Sequence, residues 1–197
     1  MERAVVEGIP GVMDRVDAAF AAVPRAGFLP RAERARAGDD APLPIGHRQT
    51  NSQPRTVAAM LRLLEVVAGQ RVLDVGAGSG WTTALLAHLT GPEGEVVGVE
   101  LEPDLVRWGG ANLAATGRRW ATIRLARKGE LGVPERAPYD RILVSADAGE
   151  LPRALLDQLA DPGRLVIPVA GTMTLVVREQ AYDAVSHHGS YRFVPLR

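Results

Sequence analysis

Apolar and polar positions follow two rhythms along this chain, and the changes of rhythm mark its elements. Residues 11–22 place Val12, Val16, Ala19 and Phe20 at helical spacing, with Val23 just beyond. This predicts an amphipathic helix that Pro24 ends. From Pro24 to Pro54 proline, glycine and charged residues crowd together, and the pattern predicts a long irregular segment. Irregular segments of that length are commonly functional. Helical spacing resumes from Gln53 to Val67, with Pro54 in its first turn and Ser52 near its N-cap.

Short apolar runs then alternate with helical stretches. Strands are expected at 71–75, 95–100, 121–125, 141–145 and 164–169. Helices are expected at 81–89, from Pro103 to about Ala115, and at 151–159, the second loosened by Gly109 and Gly110. Residues 174–178 and 191–194 read as a closing antiparallel pair. This alternation implies an α/β fold: a mostly parallel, doubly wound sheet with right-handed crossovers and a C-terminal antiparallel strand pair. Ligands of such sheets sit at the carboxyl ends of the strands, here beside strand 71–75.

Composition narrows the function classes. The formal net charge is zero, which argues against a non-specific nucleic-acid binder. No apolar run approaches a membrane span, and the first residues lack a signal-peptide core, so cytoplasmic residence is expected. Without cysteine there is no thiolate nucleophile or Cys-ligated zinc. Of the four histidines, His187 and His188 are adjacent, but no carboxylate stands beside them at ligand spacing, so no metal is expected. Basic residues are arginine everywhere except Lys128.

The chemistry concentrates at Leu73-Asp74-Val75-Gly76-Ala77-Gly78-Ser79-Gly80. A strand runs into a loop with glycine at every second position, and a helix follows. Glycines let the backbone turn tightly and approach a ligand, and the helix N-terminus offers unpaired N–H groups. Glu100, at the end of the next apolar run, suits a ribose diol. A dinucleotide loop needs glycine at its sixth position, where this chain has Trp81. The spacing G-x-G-x-G instead resembles that of S-adenosylmethionine (SAM) methyltransferases.

Further runs extend the likeness. They are Ala22-Val23-Pro24-Arg25-Ala26-Gly27-Phe28-Leu29-Pro30, Pro42-Leu43-Pro44-Ile45-Gly46, Gln49-Thr50-Asn51-Ser52-Gln53-Pro54, Ala137-Pro138-Tyr139-Asp140-Arg141-Ile142, Gly163-Arg164-Leu165-Val166-Ile167-Pro168-Val169 and Phe193-Val194-Pro195-Leu196. Together they resemble the protein-L-isoaspartate O-methyltransferase family over nearly the whole chain. The resemblance implies one Rossmann-like, SAM-dependent methyltransferase domain over 1–197. Residues 1–55 would form an N-terminal helix and substrate-side segment, and 56–197 the SAM-binding core.

It further implies repair of damaged proteins. The free α-carboxylate of an isoaspartyl residue is methylated, and the ester then closes spontaneously to a succinimide. SAM would be the methyl donor, S-adenosylhomocysteine the product, and isoaspartyl proteins or peptides the substrate. By the same resemblance Ser52 is the active-site hydroxyl, while Thr50, Asn51, Gln53 and Pro54 shape the substrate groove. Asp74, Gly76, Gly78, Ser79, Gly80, Glu100 and Leu101 would hold SAM. The residues alone leave Ser52 open as a helix cap, Glu100 as a solvated charge and Trp81 as core.

Departures qualify the likeness. Arg127-Lys128-Gly129-Glu130 stands where the family reads Gly-Asp-Gly, with an aspartate that receives the adenine amino group. Lysine has no acceptor, and Glu130 reaches that place only after a loop shift. Arg48 replaces a glycine, and Ala148-Gly149-Glu150 a proline-containing loop. Two alternatives therefore stand beside the main reading: the same chemistry on another carboxylate, such as a peptide aspartate, or a degenerate, non-catalytic relative that binds peptides or a partner protein.

Overall fold

Residues 14–197 are described by the structure, a computed structural model. Val12, and with it the start of the expected first helix, lies outside them. Helix α1 (Arg15–Ala22) begins at Asp14, whose carboxylate accepts from the Val16 N–H at 3.3 Å. Helix α2 (Pro54–Leu64) buries Val57, Met60, Leu61 and Leu64, the i, i+3, i+4, i+7 stripe of an amphipathic helix. It stops short of the expected Val67. Glu65 adopts a left-handed conformation (φ 51°) and returns its N–H to the Leu61 carbonyl.

The segment between these helices is not irregular. Two 3-10 turns, Arg25–Phe28 and Arg31–Arg36, lead to a hairpin of β1 (Leu43–Gly46) and β2 (Gln49–Asn51). Its turn residues His47 and Arg48 both have positive φ, 50° and 58°. That geometry matches the twist of a two-residue hairpin. Strands of four and three residues are too short to give a readable alternation.

The core is a seven-stranded sheet. Its strands are β3 (Arg71–Val75), β4 (Glu95–Glu100), β5 (Ala121–Leu125), β6 (Tyr139–Val144), β7 (Leu159–Val169), β8 (Thr172–Glu179) and β9 (Tyr182–Ser190). Their order is β5-β4-β3-β6-β7-β8-β9, parallel through β7 and antiparallel for the last two pairs. Successive residues of β3 point to opposite faces. Val72 enters the cluster with α1, α2 and helix α3 (Trp81–Thr90), while Leu73 and Val75 enter the cluster on the other face. Helix α4 (Pro103–Ala114) packs beside α3.

Two C-terminal expectations are corrected. The helix expected at 151–159 is reduced to α5 (Arg153–Leu156). There the buried Gln158 side chain donates to the Leu131 and Ala154 carbonyls at 2.7 and 2.8 Å and accepts from the Val133 N–H at 2.9 Å. These tertiary bonds end the helix, and β7 starts at Leu159.

The closing pair is β8 with β9, not 174–178 with 191–194. Strand β9 is almost wholly exposed, so it shows no apolar alternation. Its hairpin turns at Gln180 and Ala181, whose N–H groups both donate to Asp161. Residues 191–196 instead cross the carboxyl end of the sheet, where Val194 and Leu196 exchange backbone bonds of 2.8 Å with Asp147.

Candidate active site

Strand β3 lies between β4 and β6, and the chain crosses to opposite sides of it. Such a switch point leaves a crevice beyond the strand ends. A cavity of about 1240 Å³ opens there. Of the residues singled out in the sequence, Thr50, Asn51, Ser52, Gln53, Gly76, Gly78, Ser79, Glu100 and Leu101 line it; Pro54, Asp74 and Gly80 do not.

The glycine loop is built on its neighbour strand. The N–H groups of Gly76 and Ala77 both donate to the Val99 carbonyl, at 2.9 and 3.0 Å. Gly78 has φ 53° and donates its N–H to the Glu100 carboxylate at 2.9 Å. The second Glu100 oxygen accepts from Leu101 N–H at 2.7 Å and Glu102 N–H at 3.0 Å. Glu100 is thus a buried carboxylate that organises backbone on both sides of the crevice, not a solvated charge. Gly80, the N-cap of α3, has φ 87° and no side chain, so the N-terminus of α3 carries no side-chain cap beside the cavity.

Asp74 and Gly80 lie outside the cavity lining. Asp74 is completely buried; one oxygen accepts from the Thr83 hydroxyl at 2.7 Å and the other has no partner. Burial pushes its pKa up to about 7, against the Thr83 hydrogen bond and with the help of nearby Glu100. Gly80 meets α4 at Gly109. Gly109 was expected to loosen α4, but it is the place where the helix touches the loop.

The hairpin side is held by a residue that the sequence reading did not single out. Arg25 is 5% exposed, yet its guanidinium faces neutral oxygens. Nε donates to Asn51 Oδ1 at 2.7 Å, Nη1 to the Asp39 carbonyl at 3.0 Å, and Nη2 is shared by the carbonyls of Ala41, Asn51 and Ser52 at 2.9–3.0 Å. Its Cζ lies over the Trp81 ring, 5.4 Å from the ring centroid. Burial pulls its pKa down, while Asp39 and Asp40 raise it. Its position in the Val23-Pro24-Arg25 run was the available signal.

Trp81 is core as well as lining, with its indole N–H on the Val23 carbonyl at 3.0 Å. Asn51 turns inward and donates to Ser79 Oγ at 3.0 Å.

Ser52 is not the cap of α2. The N-cap is Gln53, whose side chain makes no capping bond. The helix is capped from a distance by Asp40, which accepts from the Arg55 N–H at 3.0 Å and from the Gln53 side chain. The Arg55 bond helps hold the Asp40 carboxyl below its ordinary pKa.

Across the cavity stand Lys128, Gly129 and Glu130, with Glu130 3.5 Å from Arg127. Among the described residues no cluster of three potential metal ligands occurs, and no helix is long and apolar enough to cross a membrane.

This sheet order, with a glycine loop after β3 and an acid ending β4, is the fold of SAM-dependent methyltransferases. A solved Plasmodium falciparum structure described as a putative protein-L-isoaspartate O-methyltransferase in complex with S-adenosyl-L-homocysteine superposes with a TM-score of 0.83. It is 26% identical and covers 94% of this chain and 91% of its own. A second solved protein-L-isoaspartate O-methyltransferase gives a TM-score of 0.85 at 27% identity, over 95% of this chain and 62% of its own.

The family model for protein-L-isoaspartate (D-aspartate) O-methyltransferase matches residues 7–197, and the chain belongs to that family. The protein-L-isoaspartate O-methyltransferase of Aeropyrum pernix is 48% identical over 83% of this chain. This chain spans 62% of the length of that relative.

Proposed function

We propose that this chain methylates the free carboxylate of L-isoaspartyl residues in damaged proteins and peptides, using SAM as donor. The observation that carries the reading is that the glycine loop, Glu100 and Ser52 face one cavity. The residues fit SAM. Gly76 and Gly78 line the cavity, the N-terminus of α3 is uncapped, and the buried Glu100 carboxylate lies at the end of the neighbouring strand. Gly76, Gly78, Ser79, Glu100 and Leu101 would hold SAM directly. Asp74 and Gly80 would support them from outside the lining, through Thr83 and α4. When bound, SAM supplies an electrophilic methyl group on a sulfonium.

What the chain must do is position. A carboxylate with a pKa of about 4 is ionised near neutral pH and needs no general base. The cavity lining accordingly includes no histidine among the described residues. Ser52 would donate its hydroxyl to the reacting carboxylate and fix its direction, while Thr50 and Gln53 shape the groove. Orientation and exclusion of water then supply the acceleration. Cytoplasmic residence is part of this reading, as are the absence of a metal and of nucleic acid from the reaction.

The test is methyl transfer from labelled SAM to a short isoaspartyl peptide, with its aspartyl twin as control. Base-labile label on the isoaspartyl peptide alone is expected. Label on the twin alone would move the substrate to another carboxylate, and label on neither would make the chain a binding relative. Ser52→Ala is expected to lower kcat while S-adenosylhomocysteine affinity and melting temperature hold, because the cap of α2 lies elsewhere.

A further inference from the structure

Arg25 poses a physical question. A buried guanidinium is costly to desolvate, and usually a carboxylate offsets the cost. Here five neutral oxygens accept from it, two of them belonging to Asn51 and one to Ser52. Such an arrangement fixes the backbone at the hairpin exit from several directions. The Asn51 amide continues the chain of contacts. Its oxygen is held by Arg25 Nε at 2.7 Å, which leaves its NH₂ to reach Ser79 Oγ at 3.0 Å. Asn51 and Ser79 are 4% and 2% exposed, so water does not compete for these bonds. Ser79 follows Gly78, whose N–H rests on Glu100.

We propose that Arg25 is a positioning residue that, through the Asn51 side chain, locks residues 51 and 52 onto Ser79 of the glycine loop. The cofactor loop and the Ser52 hydroxyl then move as one unit. The inference rests on the methyltransferase reading for its purpose, but its geometry does not depend on it. Two elements remote in sequence, the hairpin and the loop, are joined by one buried amide. The cation–π contact of Arg25 with Trp81, the first residue of α3, ties the same guanidinium to the helix that follows the loop.

Hydrogen exchange on the full chain tests the coupling without any ligand. Ser79→Ala removes the acceptor of the Asn51 amide and leaves the loop backbone intact. It should speed exchange of the amides of residues 49–52 by about tenfold, the loss of roughly one buried hydrogen bond. Arg25→Lys, with donors on a single nitrogen, should do so at least as strongly. Unchanged exchange at 49–52 in Ser79→Ala overturns the proposal, even if Arg25→Lys fails to fold.

Adding S-adenosylhomocysteine should slow exchange at both 76–80 and 49–52 in the wild type. In Ser79→Ala it should slow exchange at 76–80 alone. Full protection of 49–52 in that variant also overturns the coupling. In turnover at saturating SAM, Ser79→Ala should lower kcat several-fold. Failure of methyl transfer in the wild type would remove the functional reading and leave the exchange result to stand or fall alone.

Discussion

Gly80 and Gly109 lie back to back where the glycine loop meets α4. A Cβ on Gly80 would stand 2.7 Å from the Gly109 carbonyl oxygen, and a Cβ on Gly109 would stand 2.6 Å from the Gly78 carbonyl oxygen. Helix and loop thus touch backbone to backbone, and the curvature of the loop depends on two absent side chains. Gly109→Ala must push the loop away from the helix. Its melting temperature and its S-adenosylhomocysteine affinity, by calorimetry, should both fall. Gly110 has open space at its Cβ, so Gly110→Ala should stabilise the protein by about 0.4–1 kcal/mol, through the lost flexibility of the unfolded chain. Equal effects at the two positions would show that the contact carries no weight.

Asp74 makes stability depend on pH. Its folded pKa, about 7, lies above the unfolded carboxylate value, so the folded state holds the proton more tightly. The stabilisation is complete below about pH 4 and is lost as pH rises to about 7. Above that, a carboxylate with one unpaired buried oxygen remains inside. Asp74→Asn should flatten this slope and raise stability at pH 8 relative to wild type. Urea midpoints at several pH values measure it, and parallel curves for the two proteins would contradict it.

Glu100 carries three backbone N–H groups on two oxygens. Glu100→Gln leaves one oxygen and turns an NH₂ toward donors. Affinity for S-adenosylhomocysteine should weaken by roughly 1.5–3 kcal/mol, the range for hydrogen bonds to a charged group, and the melting temperature should fall with it. Titration calorimetry and a thermal melt check both; retained affinity would leave Glu100 a structural acid alone.

Lys128 lines the cavity, and the sequence resemblance implies that an acceptor for the adenine amino group would stand at this position. Lys128→Asp should tighten S-adenosylhomocysteine binding, by up to about 1–3 kcal/mol if it pairs an otherwise unpaired donor. Glu130→Ala should weaken binding if Glu130 fills that role in the wild type. If neither substitution moves the affinity, adenine is held by other residues.

The centre of the sheet was legible because β3 and β4 are buried on both faces, and continuous apolar runs such as Val96-Val97-Gly98-Val99 leave few other assignments. The glycine loop was legible because alternating glycines are uncommon, and Glu100 because a charge that ends an apolar run stands out. Each of these signals lies within a short stretch of chain. The hairpin of residues 43–51 and strand β9 escaped for the opposite reason: one is too short and the other too exposed to show a rhythm.

Long-range contact alone decided the rest. Nothing local told Asp40 to cap a helix that starts 14 residues later, or Gln158 to end α5 by bonding to Leu131. Nor does any local pattern make Arg25 a clamp on Asn51 and Ser52, or place Gly109 against the glycine loop. Local sequence encodes backbone preference and the side of an element that seeks burial. Which polar groups find each other once that burial is complete depends on packing, and it is there that the site acquires its supports.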